Sequence, residues 1–334
     1  MSLNIASEKS LFDRNRTLPC SIIDPRHICP HIQNHQNASM SNEPSLTPPK
    51  NRIGIVGLGL MGTAITQRLL EAGYEVLVWN RSKDKALPLT AAGAKWSECP
   101  LVECQRVIIS LYSSDVVEEV LASWEKNLSK SQIIIDTTTG DPQAAVRFAS
   151  ALAKRECIYI EAPISGSSQQ TRQGLATVIA AGDRTAFDAC NDLWPLLGKN
   201  TFYVGASGNA AKMKLVSNLV LGLNRAALAE GLAFAETLDI DLQSALAVLQ
   251  GSGAYSKQMD SKGPKMVSGD YCLQARLSQH LKDVRLILQS AEASNLSLPL
   301  SKAHEHLLEL AEFLGLGDLD NSAVFEAIRS RSPR

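Results

Sequence analysis

The chain has 334 residues, of which 45% are hydrophobic and 20% charged, and its formal net charge is -1. This length suits two domains better than one, and the near-neutral charge makes nucleic acid and membrane surfaces poor candidate partners. No apolar run is long enough to cross a bilayer, and seven cysteines without a repeated spacing favour reduced thiols over a disulfide framework.

The first fifty residues form a polar segment without apolar periodicity. Clusters of Asn, Ser, Pro and His in residues 1–50 predict a disordered tail. The segment has no basic region followed by an apolar stretch, so we expect no secretory signal and a cytoplasmic protein. Met40 stands just before the first apolar run, and we hypothesise that it is the biological start. Native peptides from residues 1–39 in a mass spectrum would contradict this hypothesis.

Short apolar runs alternate with amphipathic stretches as far as about residue 205. The apolar runs occupy residues 52–56, 75–79, 106–111, 132–136 and 176–180, and one more strand precedes Glu161. Such alternation predicts a parallel, doubly wound sheet. After Gly208, Ala, Leu and Lys dominate and helical periodicity continues almost to the end.

These patterns predict the α/β fold class, with an N-terminal Rossmann doubly wound sheet followed by an all-α C-terminal domain. We place the Rossmann domain at residues 51–206 and the helical domain, for substrate binding and dimerisation, at residues 207–330. A helical half of this kind commonly needs a partner surface, so we expect a homo-oligomer.

The first strand ends in a glycine-rich turn that reads Gly57-Leu58-Gly59-Leu60-Met61-Gly62, and a helix is predicted over residues 63–71. The pattern G-x-G-x-x-G in this context is typical of dinucleotide binding. Gly57 permits the tight turn, Gly59 lets the backbone approach a pyrophosphate, and Gly62 lets the helix pack on the strand. The alternative is a turn with a purely structural role.

The second strand ends in Asn80-Arg81-Ser82, where an NAD-binding fold usually has Asp or Glu. Without a carboxylate at that place a 2′-phosphate is not repelled, Arg81 can pair with it, and Ser82 can donate to it. The sequence therefore favours NADP as the cofactor. Alternatively Arg81 is a solvated turn residue, and NAD is accepted as well.

Two later strand ends carry hydroxyl groups at the sheet edge where doubly wound folds bind ligands. The first is Asp136-Thr137-Thr138-Thr139, whose hydroxyls could meet nicotinamide or substrate. The second is Glu161-Ala162-Pro163-Ile164-Ser165-Gly166-Ser167, where Ser165 could bind a carboxylate and Gly166 could let the backbone come close. From spacing alone, strand-capping turns are slightly favoured for both.

The helix over residues 209–218 carries a lysine and an asparagine one turn apart. Lys214 and Asn218 share a face, whereas Lys212 lies about 200° from Lys214 at roughly 100° per residue. A positioned ammonium in an otherwise apolar helix can protonate a developing alkoxide, and burial would lower its pKa into the working range. An ordinary solvated lysine pair is the equal alternative.

The remaining polar signals favour a surface pair and no metal site. Lys282-Asp283 could reach back to the cofactor, but spacing favours a surface charge pair. His304 and His306 lie two apart, on different faces of a helix, and Cys29, His31 and His35 lack a second cysteine pair nearby. We predict no metal, and no hydrolase motif is present.

With these segments in chain order, the sequence resembles the β-hydroxyacid dehydrogenase family over residues 52 to about 330. The resemblance rests on the turn at 57–62, Asp136-Thr137-Thr138-Thr139, Ala162-Pro163-Ile164-Ser165-Gly166, the helix from Gly208 to Asn218, and Lys282-Asp283. Asn80-Arg81-Ser82, Lys212-Met213-Lys214 and 314–320 are similar to the glyoxylate reductase branch. A count from Gly208 could instead select Lys212, and Ser217-Asn218 replaces a double asparagine.

The resemblance implies Lys214 as general acid with Asn218 as its positioning partner, Ser165 and Gly166 as the carboxylate site, and Thr139 and Lys282 beside the nicotinamide. The implied activity is hydride transfer between NADP and a small carboxylate-bearing aldehyde or hydroxy acid. Glyoxylate, succinic semialdehyde and 3-hydroxyisobutyrate types all qualify. The alternatives are an imine reductase, which has less use for a lysine acid, and a non-catalytic NADP-binding protein.

Overall fold

The computed structural model of the protein describes residues 52–330, and a nine-stranded sheet occupies the first half of them. Its strands are β1 (Arg52–Val56), β2 (Glu75–Trp79), β3 (Lys95–Trp96), β4 (Arg106–Ile109), β5 (Ile133–Asp136), β6 (Ile158–Glu161), β7 (Ile164–Ser165), β8 (Thr177–Gly182) and β9 (Asn200–Tyr203). The predicted tail over residues 1–50, the start at Met40 and the tail zinc ligands lie outside the described residues.

The strands follow the order β3-β2-β1-β4-β5-β6-β8-β7, and β9 pairs with β8. From β3 to β6 all neighbours are parallel, in the arrangement of a Rossmann sheet. The crossovers between these strands contain α1 (Leu60–Glu71), α2 (Leu87–Ala91), α3 (Pro100–Glu103), α4 (Ser114–Ser123) and α5 (Pro142–Ala153). The predicted Rossmann architecture is confirmed.

The sheet differs from the purely parallel prediction at one strand. β8 runs antiparallel to both β6 and β7. After β7 the chain returns through α6 (Ser168–Arg172), and so short a connection can join only antiparallel strands. Two short helices, α7 (Arg184–Ala189) and α8 (Trp194–Leu197), then lead to β9, which pairs with β8 in parallel.

The central strands are buried on both faces, which explains their continuous apolar runs. In β1, Ile53 and Ile55 pack into one core, and Val56 packs into the core on the other side. β4 divides in the same way, with Ile108 on the first side and Val107 on the second. This alternation along each strand is the pleat of a sheet covered by helices on both faces.

The second half of the described chain is helical. It contains α9 (Asn209–Thr237), α10 (Leu242–Gln250), α11 (Lys257–Ser268), α12 (Leu277–Ala293), α13 (Pro299–Phe313) and α14 (Val324–Arg329). Leu228 and Leu232 of α9 pack with Leu281 of α12, Leu308 of α13 and Phe325 of α14 in a third core. The helical C-terminal region is thereby confirmed. Both halves belong to one compact unit, and the boundary at residues 206/207 stays a prediction.

Within residues 52–330, no helix combines the length and the hydrophobicity that spanning a bilayer requires. In the same described part of the chain, no three His, Cys, Asp or Glu side chains are grouped closely enough to hold a metal ion.

Candidate active site

A cleft of about 710 Å³ lies between the carboxyl edge of the sheet and the helices that follow it. Most of the predicted site residues line this cleft: Gly57, Gly59, Met61, Asn80, Arg81, Ser82, Thr139, Gly166, Lys214 and Asn218. Leu58, Gly62, Ser165 and Lys282 are not part of its wall. The structure therefore brings the predicted cofactor turn and the predicted lysine to one site.

The glycines of the turn serve different purposes. Gly57 has a φ of 98°, and a Cβ there would collide with the carbonyl oxygen of Ser110. A Cβ on Gly62 would collide with the carbonyl oxygen of Gly57. A Cβ on Gly59 would meet nothing within 4 Å, because this glycine faces the cleft. Two glycines are thus required by the turn itself, and Gly59 leaves the approach to the backbone open.

Gly59 is also the N-cap residue of α1, immediately before the helix begins. No side chain caps this helix and its first turn has no acidic residue, so its free N–H groups keep the partial positive charge that attracts anions. Asn80 organises the turn, since its Oδ1 accepts from the Leu58 N–H at 2.9 Å and its Nδ2 donates to the Ser82 carbonyl at 3.0 Å. Arg81, which follows Asn80, is exposed and lines the cleft.

The threonines after β5 mainly hold neighbouring loops. The Thr137 hydroxyl donates to the Ile109 carbonyl at 2.8 Å, and the Thr138 hydroxyl accepts from the Leu111 N–H at 3.1 Å. The carbonyl of Thr139 accepts from the Lys282 ammonium at 2.8 Å. Lys282 also donates to the Tyr112 carbonyl at 3.1 Å. Lys282 is thus partly buried and ties α12 to the loops at the sheet edge, and its predicted place beside the nicotinamide stays a prediction.

The predicted carboxylate site is only partly exposed to the cleft. The Ser165 hydroxyl lies 3.0 Å from the Ser217 hydroxyl of α9 and does not form part of the wall. Gly166 does line the cleft, and its φ of 153° is one that L side chains rarely adopt. Ser167 starts α6 in a capping box with Gln170. Of this segment, Ile164, Gly166 and Ser167 line the cleft.

Lys214 is buried in the cleft wall, with 6% of its surface exposed, whereas Lys212 is exposed. Burial lowers the pKa of the Lys214 ammonium to about 8, although the charge of Asp283 opposes this shift. An amine with this pKa still carries a proton near neutral pH and releases it more readily than a solvated lysine. Lys214 lines the cleft and Lys212 does not, and the role of Lys214 as general acid stays a prediction.

Asp283 is a site residue that spacing did not predict. The Asn218 amide donates to Asp283 Oδ2 at 2.9 Å, and Lys282 forms an ion pair with Asp283 at 3.0 Å. Burial raises the pKa of the Asp283 carboxyl, although Lys282 and Lys214 oppose the shift. Asp283 thus orients Asn218 and places a negative charge near Lys214. The only signal in the sequence was its place beside Lys282.

Glu161 anchors the helix that carries the lysine. Its carboxylate, at the end of β6, accepts from the backbone N–H of Gly208 and from that of Ala211 at 2.9 Å. Burial raises the pKa of Glu161 to about 7, while these two hydrogen bonds oppose the shift. The first turn of α9 is therefore fixed to the sheet edge by a carboxylate at the positive end of the helix.

Two family descriptions match consecutive parts of the chain. The NAD binding domain of 6-phosphogluconate dehydrogenase matches residues 52–205, and the NAD-binding domain of NADP-dependent 3-hydroxyisobutyrate dehydrogenase matches residues 208–328. Together they cover the sheet and the helical half.

The chain is similar to characterised proteins of two kinds. It is 33% identical over 285 residues to glyoxylate/succinic semialdehyde reductase 1 of Arabidopsis thaliana, a match that covers 83% of this chain and 98% of that protein. It is 31% identical over 312 residues to the cytokine-like nuclear factor N-PAC of Drosophila melanogaster, which covers 90% of this chain. The match spans about half of N-PAC, 52% of its length.

Solved structures share the architecture over nearly their whole length. A 3-hydroxyisobutyrate dehydrogenase from Salmonella typhimurium superposes with a TM-score of 0.76 at 25% identity, covering 83% of this chain and 99% of that one. Psf3 in complex with NADP+ and 2-OPP superposes with a TM-score of 0.77 at 25% identity and the same coverage. The second of these binds NADP+ on a fold similar to this one.

Proposed function

The chain belongs to the β-hydroxyacid dehydrogenase family, and on that basis we propose that it is an NADP-dependent reductase of small carboxylate-bearing aldehydes, acting also on the corresponding hydroxy acids. The observation that carries this proposal is the burial of Lys214 in the same cleft as the glycine-rich turn. A proton donor and a nucleotide-binding turn at one cleft are the two parts that carbonyl reduction needs.

The residues present fit a dinucleotide. The open space at Gly59 and the uncapped start of α1 suit a pyrophosphate, and Arg81 with Ser82 suits a 2′-phosphate. Thr139 and Lys282 would hold the nicotinamide end, with Lys282 acting through the carbonyl of Thr139. NADPH, when bound, supplies the hydride.

The protein's own residues supply the proton and the orientation of the substrate. Lys214 donates a proton to the carbonyl oxygen as negative charge develops there, and Asn218, held by Asp283, positions the oxygen. Gly166, with Ser165 behind it, would bind the substrate carboxylate through backbone N–H groups. For the Ser165 hydroxyl to contribute, it must exchange its contact with Ser217.

The test is NADPH oxidation by the purified protein with glyoxylate, succinic semialdehyde and methylmalonate semialdehyde. We expect turnover with at least one of them. Tight NADPH binding without turnover of any carbonyl compound would contradict the proposal and favour a non-catalytic NADP-binding protein. Turnover confined to cyclic imines would favour an imine reductase, which needs Lys214 less.

We also propose that the sheet-rich residues 51–206 hold the cofactor and that the helical residues 207–330 contribute to substrate binding and to a homo-oligomer. The cytoplasmic location remains a prediction that cell fractionation can test.

A further inference from the structure

The cleft does not end at Lys214. It continues along α9 to Arg225, which also lines its wall. Arg225 follows Lys214 by eleven positions, about three helical turns, so the two side chains leave the same face of the helix. Asn218 lies on that face between them. A cation thus lies on the same wall as the proposed proton donor, farther along the helix.

Arg225 is fully buried, and its charge is not matched by a hydrogen-bonding partner. Its exposed fraction is 0%, and its Nε and Nη2 atoms have no hydrogen-bond acceptor among the described residues. Burial lowers the pKa of its guanidinium to about 10, so the group remains charged at neutral pH. Burying an unpaired guanidinium is energetically unfavourable unless an anion binds to it and offsets the loss of its hydration.

The carboxylate whose charge acts on Arg225 already has other hydrogen-bond donors. Asp320 accepts from the Lys262 ammonium at 2.8 and 2.9 Å and from the backbone N–H groups of Gln274 and Ala275 at 3.1 and 3.0 Å. Its charge acts on Arg225 without a hydrogen bond between them. Two cations, Arg225 and Lys262, therefore face one buried anion, and this part of the wall carries a net positive charge.

The surrounding groups add polarity without adding negative charge. Burial lowers the pKa of His280 well below its usual value, so its ring is neutral, and the nearby charges of Arg225 and Lys214 act in the same direction. His280 thus lies within electrostatic reach of both cations. Gln258 Oε1 and Asn321 Oδ1 have no hydrogen-bond partner among the described residues, and both side chains line the cleft. The Arg225 site comprises Arg225, Gln258, Lys262, His280 and Asn321.

We propose that the Arg225 site binds an anionic group of the substrate that is separated from the reacting carbonyl by a spacer of carbon atoms. The group is a carboxylate or a phosphonate, since two oxygens of either anion can accept hydrogen bonds from two N–H groups of one guanidinium. This inference rests on the proposed reductase function and narrows its substrate class. A carboxylate that adjoins the carbonyl, as in glyoxylate, would stay at Gly166, whereas an anionic group at the end of a spacer would lie at the Arg225 site instead.

The kinetic test compares the wild type with Arg225→Met on four aldehydes. Succinic semialdehyde and phosphonoacetaldehyde carry the distal anion, butanal has the length of the first without the charge, and glyoxylate lacks the spacer. For the anionic aldehyde that the wild type turns over better, we expect Arg225→Met to raise KM by about 30-fold or more. For butanal and glyoxylate, KM should rise by less than about threefold. Lys212→Met, an exposed cation on the same helix, should leave all four KM values unchanged.

Equal losses on all four aldehydes would overturn the proposal, because they would indicate a structural role. If Arg225→Met does not fold, kinetics of the wild type alone test the proposal. Its kcat/KM for the better anionic aldehyde should exceed that for butanal by about 100-fold, and equal values would overturn the proposal. Arg225→Lys keeps the positive charge but not the paired N–H donors, so its KM for that aldehyde should lie between those of the wild type and Arg225→Met.

A binding measurement separates this proposal from the reductase function. Succinate and methylphosphonate should each raise the melting temperature of the wild type in the presence of NADPH. For Arg225→Met, at least one of these two anions should no longer raise the melting temperature. This outcome, found together with an absence of turnover, would retain the anion site and reject the reductase. Turnover without any Arg225-dependent stabilisation would retain the reductase and reject the anion site.

Discussion

Two lysines of α9 show how strongly local environment decides the chemistry of a residue. Lys212 and Lys214 are separated by one residue, yet one is exposed and the other buried beside Asp283. The helical angle between them was sufficient to predict that they lie on different faces of the helix. Which face is the buried one could not be predicted from spacing alone, because it depends on α12 packing against α9.

Arg81 determines the cofactor preference if the NADP prediction is correct. We expect Arg81→Ala to lower kcat/KM with NADPH by about 10- to 100-fold, because a charge-assisted hydrogen bond contributes about 1.5–3 kcal/mol. With NADH the same value should change little. Steady-state kinetics with both nucleotides measures this, and Arg147→Ala on the exposed side of α5 is the control. Equal losses with both nucleotides would show that Arg81 does not select the phosphate.

For other site residues, the sequence could not predict the contacts or the burial that decide their roles. Ser165 appeared suited to a carboxylate, but its hydroxyl contacts Ser217, a partner 52 residues later. Asp283 and Arg225 owe their importance to burial, which arises only when α9, α11 and α12 pack together. Arg225 did carry one signal, since it falls on the same helical face as Lys214 and Asn218.

At the scale of elements, the sequence predicted six of the nine strands and missed β3, β7 and β9. The runs at 52–56 and 75–79 agree with β1 and β2 to the residue. β4 ends at Ile109, two residues before the predicted end, since the Leu111 N–H bonds to the Thr138 hydroxyl instead of to a neighbouring strand. The direction of β8 was not predictable from its own residues, because it depends on the short return after β7.

Glu161 links two elements, and its ionisation should make stability depend on pH. Its pKa is raised from 4.5 to about 7, so the folded state binds this proton more tightly than the unfolded state does. Stability from this group is therefore present below about pH 4.5 and is lost as the pH rises towards 7. The loss amounts to roughly 3 kcal/mol at most, at about 1.4 kcal/mol per pH unit.

Urea unfolding at pH 5 and pH 8 tests this expectation. The free energy of unfolding should fall more steeply with pH in the wild type than in Glu161→Gln, which cannot ionise. Asp136 also titrates upward in the fold, so only the difference between the two proteins is informative. The same pH slope in both would show that Glu161 does not change its ionisation on folding.

At the scale of the whole molecule, the cleft forms only where the two halves of the chain meet. Lys282 of α12 donates to carbonyls of the sheet-edge loops, and Glu161 of β6 holds the start of α9. The sequence predicted both halves, with the cofactor turn in the first and the lysine helix in the second. It could not predict these cross-contacts, because each joins residues 47 or more positions apart.

The outer face of α9 supports the proposed homo-oligomer. Val216 and Val220 lie one turn apart and are 53% and 52% exposed. We expect the wild type to sediment as an oligomer, and Val216→Glu with Val220→Glu to shift it towards the monomer, because charges would be buried at the contact. Leu87→Glu, on an exposed site of α2, is the control. A monomeric wild type would contradict the proposal.

The most direct test of the whole account is single-turnover oxidation of NADPH by the wild type, Lys214→Met and Lys212→Met with the best aldehyde substrate. The account predicts that Lys214→Met binds NADPH normally but loses about 100- to 10,000-fold in rate, while Lys212→Met is unaffected. The wild-type rate should also fall as the pH rises through about 8, where Lys214 loses its proton. A Lys214→Met variant that reduces the aldehyde at the wild-type rate would contradict the account.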